Sequence, residues 1–250
     1  VIIFLYYILA TLLPIDKVIG KIYPLFAIAL IFMAVGVLVM LVKTSPALPE
    51  IWDGLQNTHP AGEENMPLFP MMFVSIACGA ISGFHATQSP LMARCMTNEK
   101  HGRPIFYGAM ITEGIVALIW AAAANYFFNE HGMGENNAAL IVDNITKNWL
   151  GEVGSVLALL GVVFAPITSG DTALRSARLI VADFLNKEQK TIKSRLAISL
   201  PIFVVTLIVL IYSVSDKEGF NLIWRYFAWC NQALSVFTLW AITVFLSKRG

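Results

Sequence analysis

The sequence predicts an all-α polytopic transmembrane helical bundle of about seven segments, some of them interrupted helices, forming one transmembrane domain over residues 1–250. Three observations predict it. The chain is 57% hydrophobic and 13% charged, where soluble domains run near half apolar and about a quarter charged, and its mean hydropathy is +0.70. Apolar stretches recur at about 2–13, 22–42, 68–84, 104–128, 153–168, 197–214 and 222–246, most of them close to the ~20 residues that a helix needs to cross the hydrocarbon core. The charges between the stretches sort by sign.

The first stretch opens at Val1 inside an apolar run with no Met and no charged leader, which reads as a cut in a longer chain and not as a signal peptide. In the second, Leu25 to Val42 is apolar on every side. A transmembrane strand alternates over about 10 residues, so helices, which satisfy their own backbone in lipid, are the expectation.

The third stretch runs into Gly79-Ala-Ile-Ser-Gly-Phe-His-Ala-Thr-Gln-Ser-Pro90. Ser75, Gly79, Gly83 and Thr87 recur every fourth position and would stack on one helix face, where a neighbouring backbone can approach closely. Pro90 lacks an amide hydrogen and biases Ser89 away from helical torsions. An unbroken helix from Pro70 to Met96 would measure ~40 Å, more than the hydrocarbon thickness of ~30 Å. The sequence therefore predicts a break or kink around Phe84 to Pro90. Broken helices turn free backbone groups toward polar cavities, which makes Ser82, Gly83, Phe84, His85, Thr87, Gln88 and Ser89 candidates for binding substrate or ion. A packing motif followed by an ordinary helix end would explain the same residues.

The fourth stretch holds Glu113, about nine residues in and hence ~13 Å deep, near the bilayer midplane. Ala109, Ala117 and Ala121 share its face, so the carboxyl group is expected at a tight helix interface and not at lipid. A carboxyl group at that depth can hold a coupling ion or take up a proton, although a protonated Glu that only ties two helices together fits the same position. The fifth stretch leads into Pro166-Ile-Thr-Ser-Gly-Asp-Thr172. Small residues Gly154, Ala158, Gly161, Ala165 and Ser169 suit close packing. Gly170 then frees the backbone, and Ser169 or Asp171 can cap a new helix. A second interruption is expected there, with Thr168, Ser169, Asp171 and Thr172 as candidate gate or site residues, helix capping being the structural alternative. The next helix sets Ala173, Leu174, Ala177, Ile180, Val181, Phe184 and Leu185 on one side and Arg175, Arg178 and Asp183 elsewhere, a basic face suited to anionic membrane lipid. In the seventh stretch Asn231 and Gln232 lie near the middle, as a binding pair or as amides that join helices. Interfacial aromatics flank it, with Trp224, Tyr226, Phe227 and Trp229 near one end and Trp240 toward the other.

Alternating the loops between two sides places thirteen of the seventeen basic residues on one side, including the loops near 85–103 and 171–195, and ten of the sixteen acidic residues on the other. The positive-inside rule makes the basic side cytoplasmic. A missed or invented helix would scramble that alternation.

Several classes fall away. Cys78, Cys95 and Cys230 are far apart without C-x-x-C spacing, and His85 has no second His or Cys at ligand spacing, so neither metal nor cofactor is expected. A net charge of +1 with no basic cluster on a soluble domain argues against nucleic acid. No nucleophile and base pair, metal cluster or phosphate loop marks an enzyme.

The stretches IACGAISGFHATQSPLMARCM, RPIFYGAMITEGIVALIWAAAANYFF, PITSGDTALRSARLIVADF and LIWRYFAWCNQALSVFTLWA closely resemble the carbon starvation protein A family, and LLPIDKVIGKIYPLFAIALIFMA fits as well. The resemblance spans nearly the whole chain. It implies a longer bacterial or archaeal inner-membrane protein taking up peptides or, in some branches, pyruvate when carbon is scarce. It also implies a distant likeness to amino acid, polyamine and organocation transporters. The expected partners are a small-molecule substrate, a coupling ion (proton or sodium) and lipid. A nutrient sensor, or a membrane enzyme whose catalytic part lies elsewhere, is the alternative.

The threading is directly testable. Cysteines introduced at Arg103 and Lys190 are expected to react with an impermeant thiol reagent from the same, cytoplasmic side. Reaction from opposite sides would discard the topology.

Overall fold

The computed structural model describes residues 6–7, 16–48, 50, 52, 57, 64, 67–132, 138–216 and 219–249. Its helices are α1 (Asp16–Thr44), α2 (Leu68–Ala80), α3 (Gly83–Cys95), α4 (Ala109–His131), α5 (Ala138–Phe184), α6 (Ile192–Ser215) and α7 (Gly219–Arg249). A 3-10 turn (Glu99–His101) and a π-helical turn (Arg103–Gly108) lead into α4. The protein is all-α and multi-pass. Among the described residues, four helical stretches are long and apolar enough to cross a membrane, Phe26–Thr44, Glu99–Glu130, Ile192–Ser215 and Leu222–Arg249, and Leu68–Ala80 is a shorter apolar helix. They coincide with the second, fourth, sixth, seventh and third predicted stretches. Of the first, 2–13, only Tyr6 and Tyr7 lie among the described residues.

Lipid as solvent explains the surface of these helices. Val204, Val205, Ile208 and Ile211 of α6 and Val236, Phe237 and Trp240 of α7 are exposed, which would be costly in water and is favourable against hydrocarbon. Helical hydroxyls turn inward to their own backbone: Thr112 to the Gly108 carbonyl at 2.9 Å, Thr206 to Ile202 at 2.8 Å, Thr238 to Leu234 at 2.9 Å and Thr243 to Leu239 at 2.8 Å. Each closes a polar group that lipid cannot solvate.

The chain divides into two compact units, Val1–Leu55 with Asn98–Thr172 and Gln56–Thr97 with Ala173–Gly250. In the first, Val37 of α1, Ile119 and Ala123 of α4 and Ile145 of α5 form a buried cluster, bordered by Leu41, Trp120, Phe127 and Trp149. Gly36 lets α5 approach: a β-carbon there would stand 3.1 Å from Leu150 Cδ1. In the second, α2, α3 and α6 all pack on α7, and the buried residues include Ala77, Ile198, Phe203 and Ala228.

Both helix interruptions fall elsewhere than the sequence predicts. The third stretch breaks at Ile81 and Ser82, not between Phe84 and Pro90. Ile81 leaves the helix with φ −134° and ψ 54°, and Pro90 sits inside α3. A proline's bias on its predecessor is only a preference, and Pro24 and Pro201 are likewise accommodated inside α1 and α6. The second predicted break, at 166–172, is absent. The helix runs through it, and non-helical torsions occur instead at Gly151, with φ 68° and ψ −159°. Gly170 serves packing. A β-carbon there would clash with the Tyr7 hydroxyl and ring, so the glycine gives room to that ring while costing the helix only about 1 kcal/mol. Ser169 and Asp171 consequently lie within a helix and not at its start. Across Gly151, the Ser155 hydroxyl donates to Asp143 Oδ1 at 2.7 Å and ties the two parts of α5 together.

Gly151 occupies torsions that only glycine adopts readily. Gly151→Ala in the full-length protein is expected to lower the thermal midpoint in detergent, a loss of about 1–3 kcal/mol. Gly114→Ala, with nothing within 4 Å of its added β-carbon, is expected not to lower the midpoint and to raise it slightly, alanine favouring a helix over glycine by about 1 kcal/mol.

Candidate functional site

The sharpest chemistry in the second unit lies where α2 ends and α3 begins. Two half-helices meeting in an apolar layer leave carbonyls at the end of one and N–H groups at the start of the other without intrahelical partners. Unsatisfied groups there cost several kcal/mol. Asn231 of α7, 4% exposed, stands at the junction. Its Oδ1 accepts from the Gly83 N–H at 2.7 Å, and its Nδ2 donates to Cys78 Sγ at 3.7 Å. One amide thus spans both halves of the broken helix. The Ser82 carbonyl accepts from the His85 N–H at 3.0 Å and the Ala86 N–H at 3.3 Å and closes the first turn of α3.

Glycine at 83 permits this contact. A β-carbon there would lie 3.1 Å from Asn231 Oδ1 and 3.1 Å from Leu234 Cδ2, so those side chains would have to give by a few tenths of an ångström. Further along α3, Gln88 Nε2 donates to the Ser176 hydroxyl of α5 at 2.5 Å. α3 is therefore fastened at its first turn to α7 and at its second to α5, both through side-chain amides.

Several sequence candidates come together here: Gly83 and Asn231 in direct contact, Ser82 and His85 half-buried beside them, and Gln88 bound to Ser176. Ser89 and Gln232 are half-buried on α3 and α7. Phe84 and Thr87 stand in α3 and Thr168 in α5, with side chains outside the described residues. Glu113, Ser169, Asp171 and Thr172 belong to the first unit. Asp171 is buried at 2% exposure, Thr172 is half-buried and Ser169 is exposed. Glu113 departs from expectation. It and Ala109, Ala117 and Ala121 are all exposed in the described chain. α4 packs instead through its Ile119 and Ala123 stripe, where larger apolar side chains fill the contact with Val37.

The amphipathic stretch at 173–184 is also turned around. Ile180, Val181, Phe184 and Leu185 are exposed, whereas Ser176, Arg178 and Ala182 are buried, Arg178 at 8%. The basic face meant for lipid headgroups loses one of its arginines to the protein interior. Next to a lipid-embedded bundle, burying a polar group where partners exist costs less than leaving it against hydrocarbon. Ser176 and Cys78 are the site residues that periodicity missed. The signal that would have found Ser176 is the inverted polarity expected of a helix adjoining membrane spans. Among the described residues no group of His, Cys, Asp or Glu is placed to hold a metal ion.

An all-α, multi-pass membrane protein with a broken helix capped from a neighbouring helix is the class that fold and site define. The family described as carbon starvation protein CstA matches residues 1–156, and the chain belongs to that family. An uncharacterized membrane protein of Haemophilus influenzae is 48% identical over 141 residues, 51% of this chain and 38% of that protein. The pyruvate/proton symporter BtsT of Escherichia coli is 31% identical over 179 residues, 63% of this chain and 22% of its own length. The peptide transporter CstA of the same organism is 42% identical over 94 residues, 37% of this chain and 13% of its own length. The chain thus spans well under half of each of these relatives. No solved structure matches it.

The Asn231 contact has a measurable weight. Asn231→Leu keeps the volume but leaves the Gly83 N–H unsatisfied, and is expected to cost about 1–3 kcal/mol of stability. Asn231→Asp, which keeps an acceptor, is expected to retain more of it. Equal losses in thermal denaturation would deny the side chain its capping role.

Proposed function

We propose that the chain is the core of one transmembrane domain in a secondary transporter. It would reside in the cell inner membrane and take up peptides or a small carboxylate such as pyruvate with a coupling proton, as part of the response to carbon starvation. The observation that carries the reading is the break at Ile81 and Ser82, fastened by Asn231 and followed by Gln88. A helix interrupted within a membrane layer brings backbone dipole ends and polar side chains to a depth where lipid offers none, the arrangement by which transporters bind solutes and ions. The relatives named for pyruvate/proton symport and for peptide transport support the same class. In this reading His85, Gln88 and Asn231 line the solute path and Glu113 serves the coupling ion. The loops near 85–103 and 171–195 face the cytoplasm.

The test is uptake by the full-length protein in proteoliposomes, with labelled dipeptide and labelled pyruvate as separate arms and an imposed proton gradient. Accumulation of one of them, driven by the gradient, is the expected result. Gln88→Ala is expected to raise KM or lower uptake at least tenfold. Glu113→Gln is expected to abolish the response to the gradient while leaving exchange down a solute gradient. Uptake of neither solute would refute transport of these classes, and gradient-driven uptake unchanged by Glu113→Gln would remove that residue from coupling.

A further inference from the structure

The first unit holds a cavity of about 260 Å³ lined by Tyr126, Phe127, Glu130, Ile145, Asn148 and Trp149. It lies at the end of α4, on the side where the sequence places the acidic loops, and it is separate from the capped break, which belongs to the second unit. Its walls are held in place. Tyr126 and Trp149 stack with ring centroids 5.6 Å apart and planes inclined by 26°, Ile145 is 2% exposed beneath them, and Phe127 and Trp149 border the buried cluster of this unit. Glu130 follows Tyr126 by one turn of α4 and stands at the exposed rim of the cavity.

From this geometry we infer that the cavity binds a primary organic ammonium group. Three features select that chemistry together. Aromatic walls attract a cation through their ring quadrupoles. The Glu130 carboxylate supplies a charge-assisted acceptor, and the Asn148 side-chain oxygen can take a second N–H. An organic anion would meet Glu130 as a like charge, and a neutral alcohol would forgo both the ring attraction and the ion pair. A free solute carrying an amino group and the head of phosphatidylethanolamine share this chemistry.

The experiment is saturation-transfer NMR on the full-length protein in phosphatidylglycerol nanodiscs, with butylammonium chloride as probe and n-butanol as its neutral counterpart. Butylammonium is expected to give saturation transfer where butanol gives little, and Glu130→Gln is expected to weaken the apparent affinity about tenfold, the scale of a lost charge-assisted contact. Trp149→Leu tests the wall. Because Trp149 also borders the packed cluster, Glu130→Gln, at an exposed rim position, is the variant that decides if Trp149→Leu fails to fold. Repeating the titration with phosphatidylethanolamine in the disc identifies the source: loss of the butylammonium signal assigns the site to the lipid head, and its persistence assigns it to a dissolved solute. Equal signals from butylammonium and butanol, or an affinity unchanged by Glu130→Gln in the phosphatidylglycerol disc, would overturn the inference. The measurement needs no transport, so it stands or falls independently of the uptake reading.

Discussion

A backbone N–H in an apolar layer must find an acceptor, and the arrangement of the second unit depends on how Gly83 finds one. Once the helix leaves its course at Ile81, the first N–H of α3 loses its intrahelical carbonyl, and Asn231 replaces it at 2.7 Å. In water such a contact would compete with solvent and be worth about 1 kcal/mol. In hydrocarbon the alternative is an unsatisfied donor, so the contact decides where the break can sit. It is eased by the absence of a side chain at residue 83, whose β-carbon would press on Asn231 and Leu234 of α7. Break, glycine and buried asparagine form one feature seen from three sides.

The same solvent governs the polarity of the rest. Isoleucine, valine and phenylalanine cover the outside of α6 and α7, while Asn231, Ser176 and Arg178 lie inside. Hydroxyls that would reach for water in a soluble protein fold back on their own helices. Of the polar groups inside the second unit, Asn231 and Ser176 are held in orientation by hydrogen bonds to Gly83 and Gln88. The broken helix differs from its neighbours in that its ends depend on side chains and not on the regular ladder.

Much of this was legible in the sequence. Hydrophobic length gave the membrane helices: 197–214 and 222–246 are extended by a few residues at their ends, and 104–128 becomes a π-helical turn at Arg103–Gly108 followed by Ala109–His131. The string from Gly79 to Pro90 marked the broken helix, and Asn231 stood out as an amide at mid-segment. The location of the break was not legible, because local rules weigh Pro90 and cannot see an acceptor 148 residues away in the chain. For the same reason Gly170 suggested a break where Tyr7 uses the space for packing. Glu113 was assigned to an interface from alanines on its face, yet small residues permit contact without compelling it, and the larger Ile119 stripe won. The helix at 173–184 is expected to turn its basic face to anionic lipid, whereas Arg178 and Ser176 are buried and Ser176 meets Gln88.

The most direct measurement is cryo-electron microscopy of the full-length protein in a lipid disc, tracing the backbone between Leu68 and Cys95. The account predicts a helix that stops at Ala80, resumes at Gly83, and has the Asn231 side chain within hydrogen-bonding distance of the Gly83 nitrogen. A continuous helix through Ile81 and Ser82, or an Asn231 turned away from Gly83, would contradict it.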